Sequence, residues 1–110
     1  MKGDRLGEFE ELTLLAVLAL GERAYGVPVQ ELIEQEAGRE VTLGAVYAAL
    51  DRMERKGLLK SSFSEALAER GGKRRRLFQV TDTGVRVLHD TRRAREALWS
   101  AVPRSARSRT

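Results

Sequence analysis

The stretch Arg70–Val80 reads RGGKRRRLFQV. A glycine pair comes first, four consecutive basic residues follow, and an apolar run closes it. Counting Arg70, five cations fall within seven residues. A solvated turn explains one or two such charges, because edge strands use lysine to discourage unwanted pairing. Five like charges on a short turn repel one another unless a polyanion neutralises them, and phosphates do this with release of counterions. Upstream, LLKSSFS is a second short strand candidate, and the glycines in the connection suit a hairpin. The pattern predicts two strands with a strongly basic tip.

Just before the hairpin lies VTLGAVYAALDRMERKG. Thr42 is a good N-cap, Gly57 a good stop, and Arg55 and Lys56 occupy the last turn, where cations complement the helix dipole. Val46, Leu50 and Met53 recur at helical spacing and are expected in the core. Gly44, Ala45, Ala48 and Ala49 are expected on the opposite side. That smooth half matters, because a helix enters the major groove only if its leading side chains do not hold the backbone away. Thr42, Leu43, Gly44, Ala45 and Ala48 permit close approach, Thr42 and Tyr47 can donate to phosphates or base edges, and Arg52 can reach a phosphate or a guanine. Helix periodicity alone is equally consistent with ordinary packing of small residues. The basic hairpin beside the helix decides for DNA, since both features then face one ligand.

Two helices precede these elements. Glu8–Leu20 carries Phe9, Leu12, Leu15 and Leu18, widened by Val17 and Leu20, as its expected apolar stripe, with Glu8, Glu10 and Glu11 in the first turn as dipole-complementing carboxylates. In GVPVQELIEQEAG, Pro28 places the start near Gly26 or Val27, and Val29, Leu32 and Ile33 form a short apolar face. After the hairpin, Thr81 caps a long helix, and Pro103 ends its pattern. Helix, helix, helix, strand, strand, helix is the layout of a winged helix-turn-helix. The chain is thus mainly α with a small β-hairpin. Residues 1–80 form the DNA-binding domain, residues 81–102 a dimerisation helix and residues 103–110 a polar tail expected to be disordered.

The bulk properties agree. The chain has 110 residues, 42% of them apolar and 33% charged, which describes one globular domain with a modest core. Its net charge of +4 favours polyanion partners. There is no cysteine, so disulfides, thiolate metal sites and cysteine nucleophiles are excluded. LTLLAVLALG is too short to span a membrane, and the acidic N-terminus does not suit a secretion signal, so the chain is read as cytoplasmic. His89, the single histidine, has no nucleophile or orienting partner in pattern. Ser61, Ser62 and Ser64 lack the glycine frame of a nucleophile elbow. RGGKRRR lacks P-loop spacing. No enzyme, metal or cofactor is expected.

Three stretches carry a family resemblance: YGVPVQEL, VTLGAVYAALDRMERKGLL and GGKRRRLFQVTDTGVRVL. The Tyr-Gly pair, the Gly-x-x-Tyr-x-x-Leu-x-x-x-Glu-x-x-Gly-Leu run and the aromatic-x-x-Thr-x-x-Gly close resemble the PadR-like transcriptional regulators. Phe78 stands where that family often has tyrosine. The resemblance implies a dimeric winged-helix regulator, usually a repressor. The helix starting at Thr42 would be its recognition helix. Gly71, Gly72, Lys73, Arg74, Arg75 and Arg76 would form its wing. Leu50, Glu54 and Gly57 would hold the helix to the wing, and the final helix would pair with its twin.

That last helix bears Leu88, Thr91, Leu98 and Val102 on one stripe, with Ala94 and Ala101 small enough for close approach. Trp99, the only tryptophan, is first an interface anchor. The resemblance also makes it the place for a flat hydrophobic effector. The expected partners are a twin chain and an inverted-repeat operator with half-sites about one helical turn apart. The rival reading is a winged-helix module whose basic hairpin binds RNA or a protein. A membrane-surface role is weakest, because no helix pairs a cationic face with aromatic anchors.

Overall fold

The computed structural model describes residues 6–64 and 74–107. Helix α1 spans Glu8–Leu20, a single 3-10 turn covers Gly21–Arg23, and α2 spans Gly26–Ala37. Helix α3 runs Leu43–Arg55, strands β1 and β2 run Leu59–Phe63 and Arg76–Val80, and α4 runs Asp82–Ala101. The strands pair antiparallel, from Leu59 opposite Val80 to Phe63 opposite Arg76. The Phe78 N–H donates to the Ala24 carbonyl at 2.8 Å, which ties β2 to the α1–α2 connection.

Local chemistry sets the boundaries. The Thr42 hydroxyl accepts the Ala45 N–H, and the Thr81 hydroxyl accepts the Gly84 N–H, so both expected caps are in place. Helix α3 ends in a Schellman motif. Gly57, at φ 80°, lets the Gly57 N–H reach the Glu54 carbonyl and the Leu58 N–H reach the Met53 carbonyl. Leu58 and Met53 are both fully buried, supplying the apolar contact of that motif. The α2–α3 turn is held by α2 side chains: Gln30 donates to the Val41 carbonyl, and Glu34 accepts the Val41 N–H.

One core joins the elements. Leu14, Val17, Val29, Ile33, Val46, Leu50, Met53, Leu58, Phe78 and Leu88 are buried in it. Each large apolar side chain there is worth about 1.5–3 kcal/mol relative to exposure.

Four expectations need correction. The buried residues of α1 are Glu10, Thr13, Leu14, Ala16 and Val17, while Leu15 and Leu18 of the expected stripe are 45% and 46% exposed. This helix is apolar on more than one side, and its neighbours leave the Leu15 and Leu18 side open. Ala49 is fully buried, because it falls three residues after Val46 and four before Met53 on the core face. Leu88, expected at a dimer interface, is a core residue at 6% exposure, since the first two turns of α4 pack against the domain. Part of the tail is helical: Arg104–Arg107 make one turn, with the Pro103 carbonyl accepting the Ala106 and Arg107 N–H groups. Proline presets the backbone angle that starts such a turn.

Candidate nucleic-acid interface

Because α3 buries Val46, Ala49, Leu50 and Met53, its opposite side faces outward. Thr42, Gly44, Ala45, Ala48 and Arg52 are exposed, and Leu43 is half-buried. Gly44, Ala48 and Arg55 share one line along the helix, at spacings of four and seven. Arg55 is exposed and has no side-chain partner among the described residues. In the sequence it is a last-turn cation complementing the helix dipole, and its spacing from Ala48 also puts it on this line. Tyr47 does not stand on this bare line. It is half-buried against the start of α2, where a β-carbon built on Gly26 would lie 2.3 Å from its hydroxyl.

Each flank of α3 is pinned by charge. On one side Glu10, 7% exposed, receives Arg52 Nε at 3.0 Å, Lys56 Nζ at 3.1 Å and the Gly7 N–H at 3.2 Å. Burial pushes the Glu10 carboxyl up, but these donors outweigh it and hold the group below the ordinary carboxylate range. Arg52, read as a phosphate or guanine contact, is therefore paired inside the domain. On the other side Arg76 reaches Asp51 at 3.0 Å and Glu54 at 2.7 Å. Glu54 also accepts the Ser61 hydroxyl at 2.8 Å, so one carboxylate joins α3 to both strands. Burial disfavours the Arg76 charge, and the two carboxylates more than restore it.

The hairpin cations thus differ. Arg76 is half-buried in the Asp51–Glu54 pair, while Arg74 and Arg75 are exposed. The Arg75 guanidinium lies 4.6 Å from the Tyr25 ring centroid, and that of Arg74 lies 5.7 Å from the Phe63 ring. Gly71, Gly72 and Lys73, together with Arg70, lie outside the described residues.

Beyond Leu88, α4 is open. Thr91 and Val102 are half-buried, Ala94 and Ala101 are exposed, and Leu98 and Trp99 are 71% and 64% exposed. Arg95 folds back onto α1, giving Glu11 two hydrogen bonds at 2.6 and 3.2 Å. Among the described residues, no three His, Cys, Asp or Glu side chains could hold a metal ion, and no helix is long and apolar enough to cross a membrane.

Three helices with the third laid bare on one side, and a two-stranded hairpin braced against its end, define a winged-helix protein. The model of the PadR-like transcriptional regulator family matches residues 14–90. The chain belongs to that family, whose members are regulators and not enzymes. Among similar solved structures, a PadR family regulator from Clostridium difficile is 25% identical, with 84% of this chain and 93% of that chain covered at a TM-score of 0.69. A PadR family regulator from Eggerthella lenta is also 25% identical, with 93% and 88% covered at a TM-score of 0.66. Bacillus subtilis PadR, solved in complex with operator DNA, is 19% identical, with 76% of this chain and 46% of that chain covered at a TM-score of 0.62. No curated protein matches the chain.

Proposed function

We propose that the chain is a sequence-specific DNA-binding transcriptional regulator, acting in the cytoplasm as a homodimeric repressor. One observation carries this reading: α3 presents Gly44, Ala45 and Ala48 as an uncluttered exposed surface in its first half, while its second half is braced by the arginine-bearing hairpin through Asp51 and Glu54. Such a surface lets the helix backbone approach base edges in the major groove, and arginines beside it neutralise flanking phosphates. The operator complex of Bacillus subtilis PadR, a relative in fold, points the same way.

The homodimer rests on surfaces that the single chain leaves apolar and wet. These are Leu15 and Leu18 on α1 and Leu98 and Trp99 on α4. A twin covering them would set two α3 helices on successive major grooves, and the operator would be an inverted repeat. A flat hydrophobic effector would find Trp99 in that interface.

The test is a gel shift with DNA from upstream of the protein's own gene, run beside scrambled duplex and RNA. Ala45→Glu puts bulk and negative charge on the bare surface, so it should abolish operator binding while circular dichroism stays unchanged. Retained binding would show that this surface stays out of the groove. Equal affinity for RNA of scrambled sequence would replace the regulator reading with an RNA-binding one.

A further inference from the structure

The described hairpin arginines are adjacent in sequence, yet their surroundings assign them different work. Arg76 is consumed by the scaffold: two carboxylates on α3 take its charge, and its guanidinium also lies 4.8 Å from the Phe78 ring. Arg74 and Arg75 have no carboxylate within ion-pair distance among the described residues. Each is instead laid on an aromatic ring. Stacking occupies the flat face of a guanidinium and leaves its N–H edge available to an acceptor. The backbone supports the arrangement. Ser64 accepts the Arg75 N–H on its hydroxyl at 2.9 Å and Arg74 Nε on its carbonyl at 3.1 Å. Phe63 remains 60% exposed, so its ring contributes little burial to the domain. Tyr25 belongs to a different element, the residue that precedes α2.

We propose that Tyr25 and Phe63 are positioning residues that hold Arg75 and Arg74 as a preset pair for the phosphate backbone of duplex DNA, and that Arg76 makes no phosphate contact. The proposal rests on the DNA-binding reading above and divides the work within it. A long arginine on a bare loop must be ordered when it binds, and that ordering opposes association. A ring beneath the guanidinium limits the side chain beforehand. Through Tyr25 the cation of the hairpin is also fixed relative to α2, so hairpin and helix-turn-helix meet the backbone in one register.

The test uses the full chain and a fluorescently labelled random-sequence duplex, because phosphate contacts do not depend on sequence. Affinity is measured across a salt series by fluorescence polarisation. Arg74→Ala and Arg75→Ala should each lower the slope of log affinity against log salt by about one unit. Arg76→Ala should leave the slope unchanged while lowering the melting temperature. Tyr25→Leu should weaken binding roughly two- to five-fold, the factor an exposed cation–π contact is worth, and Tyr25→Phe should restore it. The deciding comparison is a double-mutant cycle. In an Arg75→Ala background, Tyr25→Leu should have no further effect on affinity. Arg75→Lys, which keeps the charge and loses the planar fork, covers the case in which Tyr25→Leu fails to fold, and it should weaken binding to a similar extent. Additive effects of Tyr25 and Arg75, or an unchanged slope in Arg75→Ala, would overturn the proposal while leaving DNA binding intact. A wild-type chain whose duplex binding shows no salt slope would overturn both readings together.

Discussion

Helices α3 and α4 are both long amphipathic segments that begin with a threonine cap, yet the domain holds them in opposite ways. Helix α3 is gripped on three sides. Its apolar face lies in the core, Glu10 holds one flank through Arg52 and Lys56, and Arg76 holds the other through Asp51 and Glu54. Helix α4 is gripped at its start, where Gly84 and Leu88 are buried, and beyond the half-buried Thr91 the ion pair that returns to the domain among the described residues is Arg95–Glu11. The contrast teaches where each geometry is made. The placement of α3 relative to the two strands is built within one chain. The far half of α4 leaves Leu98 and Trp99 exposed among the described residues.

The sharpest way to break this contrast is to cut α4 at two points. Leu88→Ala should destabilise the domain by about 2–4 kcal/mol, the range for deleting a buried leucine. Leu98→Ala, ten residues further along an exposed stretch, should stay within about 0.5 kcal/mol in the isolated monomer. Urea denaturation at low protein concentration measures both. Equal losses would mean that the far half of α4 is also part of the core.

Gly84 probes the junction of α4 with the strands. A β-carbon there would fall 2.3 Å from the Leu58 carbonyl and 2.7 Å from a Val80 methyl. Gly84→Ala should therefore cost about 1–3 kcal/mol despite the better helix propensity of alanine, because backbone has to move. An increase in melting temperature would show that the junction yields easily.

Glu10 probes the grip on α3. Its carboxyl is held below its ordinary range in the fold, so its contribution is fully present above the ordinary carboxylate range and is lost as pH falls through the lowered folded value. Glu10→Gln should lower stability at pH 7 by about 1–2 kcal/mol, the scale of hydrogen bonds to a charged group, and should flatten the acid limb of the stability curve. An unchanged limb would assign the acid sensitivity to other carboxylates.

The smallest effect should come from the Arg95–Glu11 pair, whose arginine is exposed. Arg95→Ala should leave global unfolding unchanged, because exposed ion pairs add little. It should raise amide exchange in the far half of α4 only. Loss of global stability would show that α4 is anchored along its whole length.

Much of this molecule was legible in its sequence, and for local reasons. The ends of α3 and α4 follow from Thr42, Gly57 and Thr81, because capping needs only neighbours a few residues away. The strand pair followed from two short strand-like runs with glycines in the sequence between them, and the core face of α3 from the spacing of Val46, Leu50 and Met53. Of the four small residues expected on the outer side of α3, Gly44, Ala45 and Ala48 are exposed, and Ala49 went to the core.

What the tertiary structure alone decided is which of several equivalent-looking residues has a partner. Nothing in RRR distinguishes Arg76 from Arg74 and Arg75. The distinction arises because β2 brings Arg76 beside Asp51 and Glu54, 25 and 22 residues away in the chain. Arg52 looked like a free cation until the fold placed it on Glu10, 42 residues distant. Helix α1 offered apolar residues on more than one side, and only the approach of the other elements selected Leu14 and Val17 over Leu15 and Leu18. Helical period and capping are properties of a few consecutive residues, so sequence alone determined them. Pairing of charges and choice of a buried face depend on elements meeting across long separations, so only the folded chain decided them.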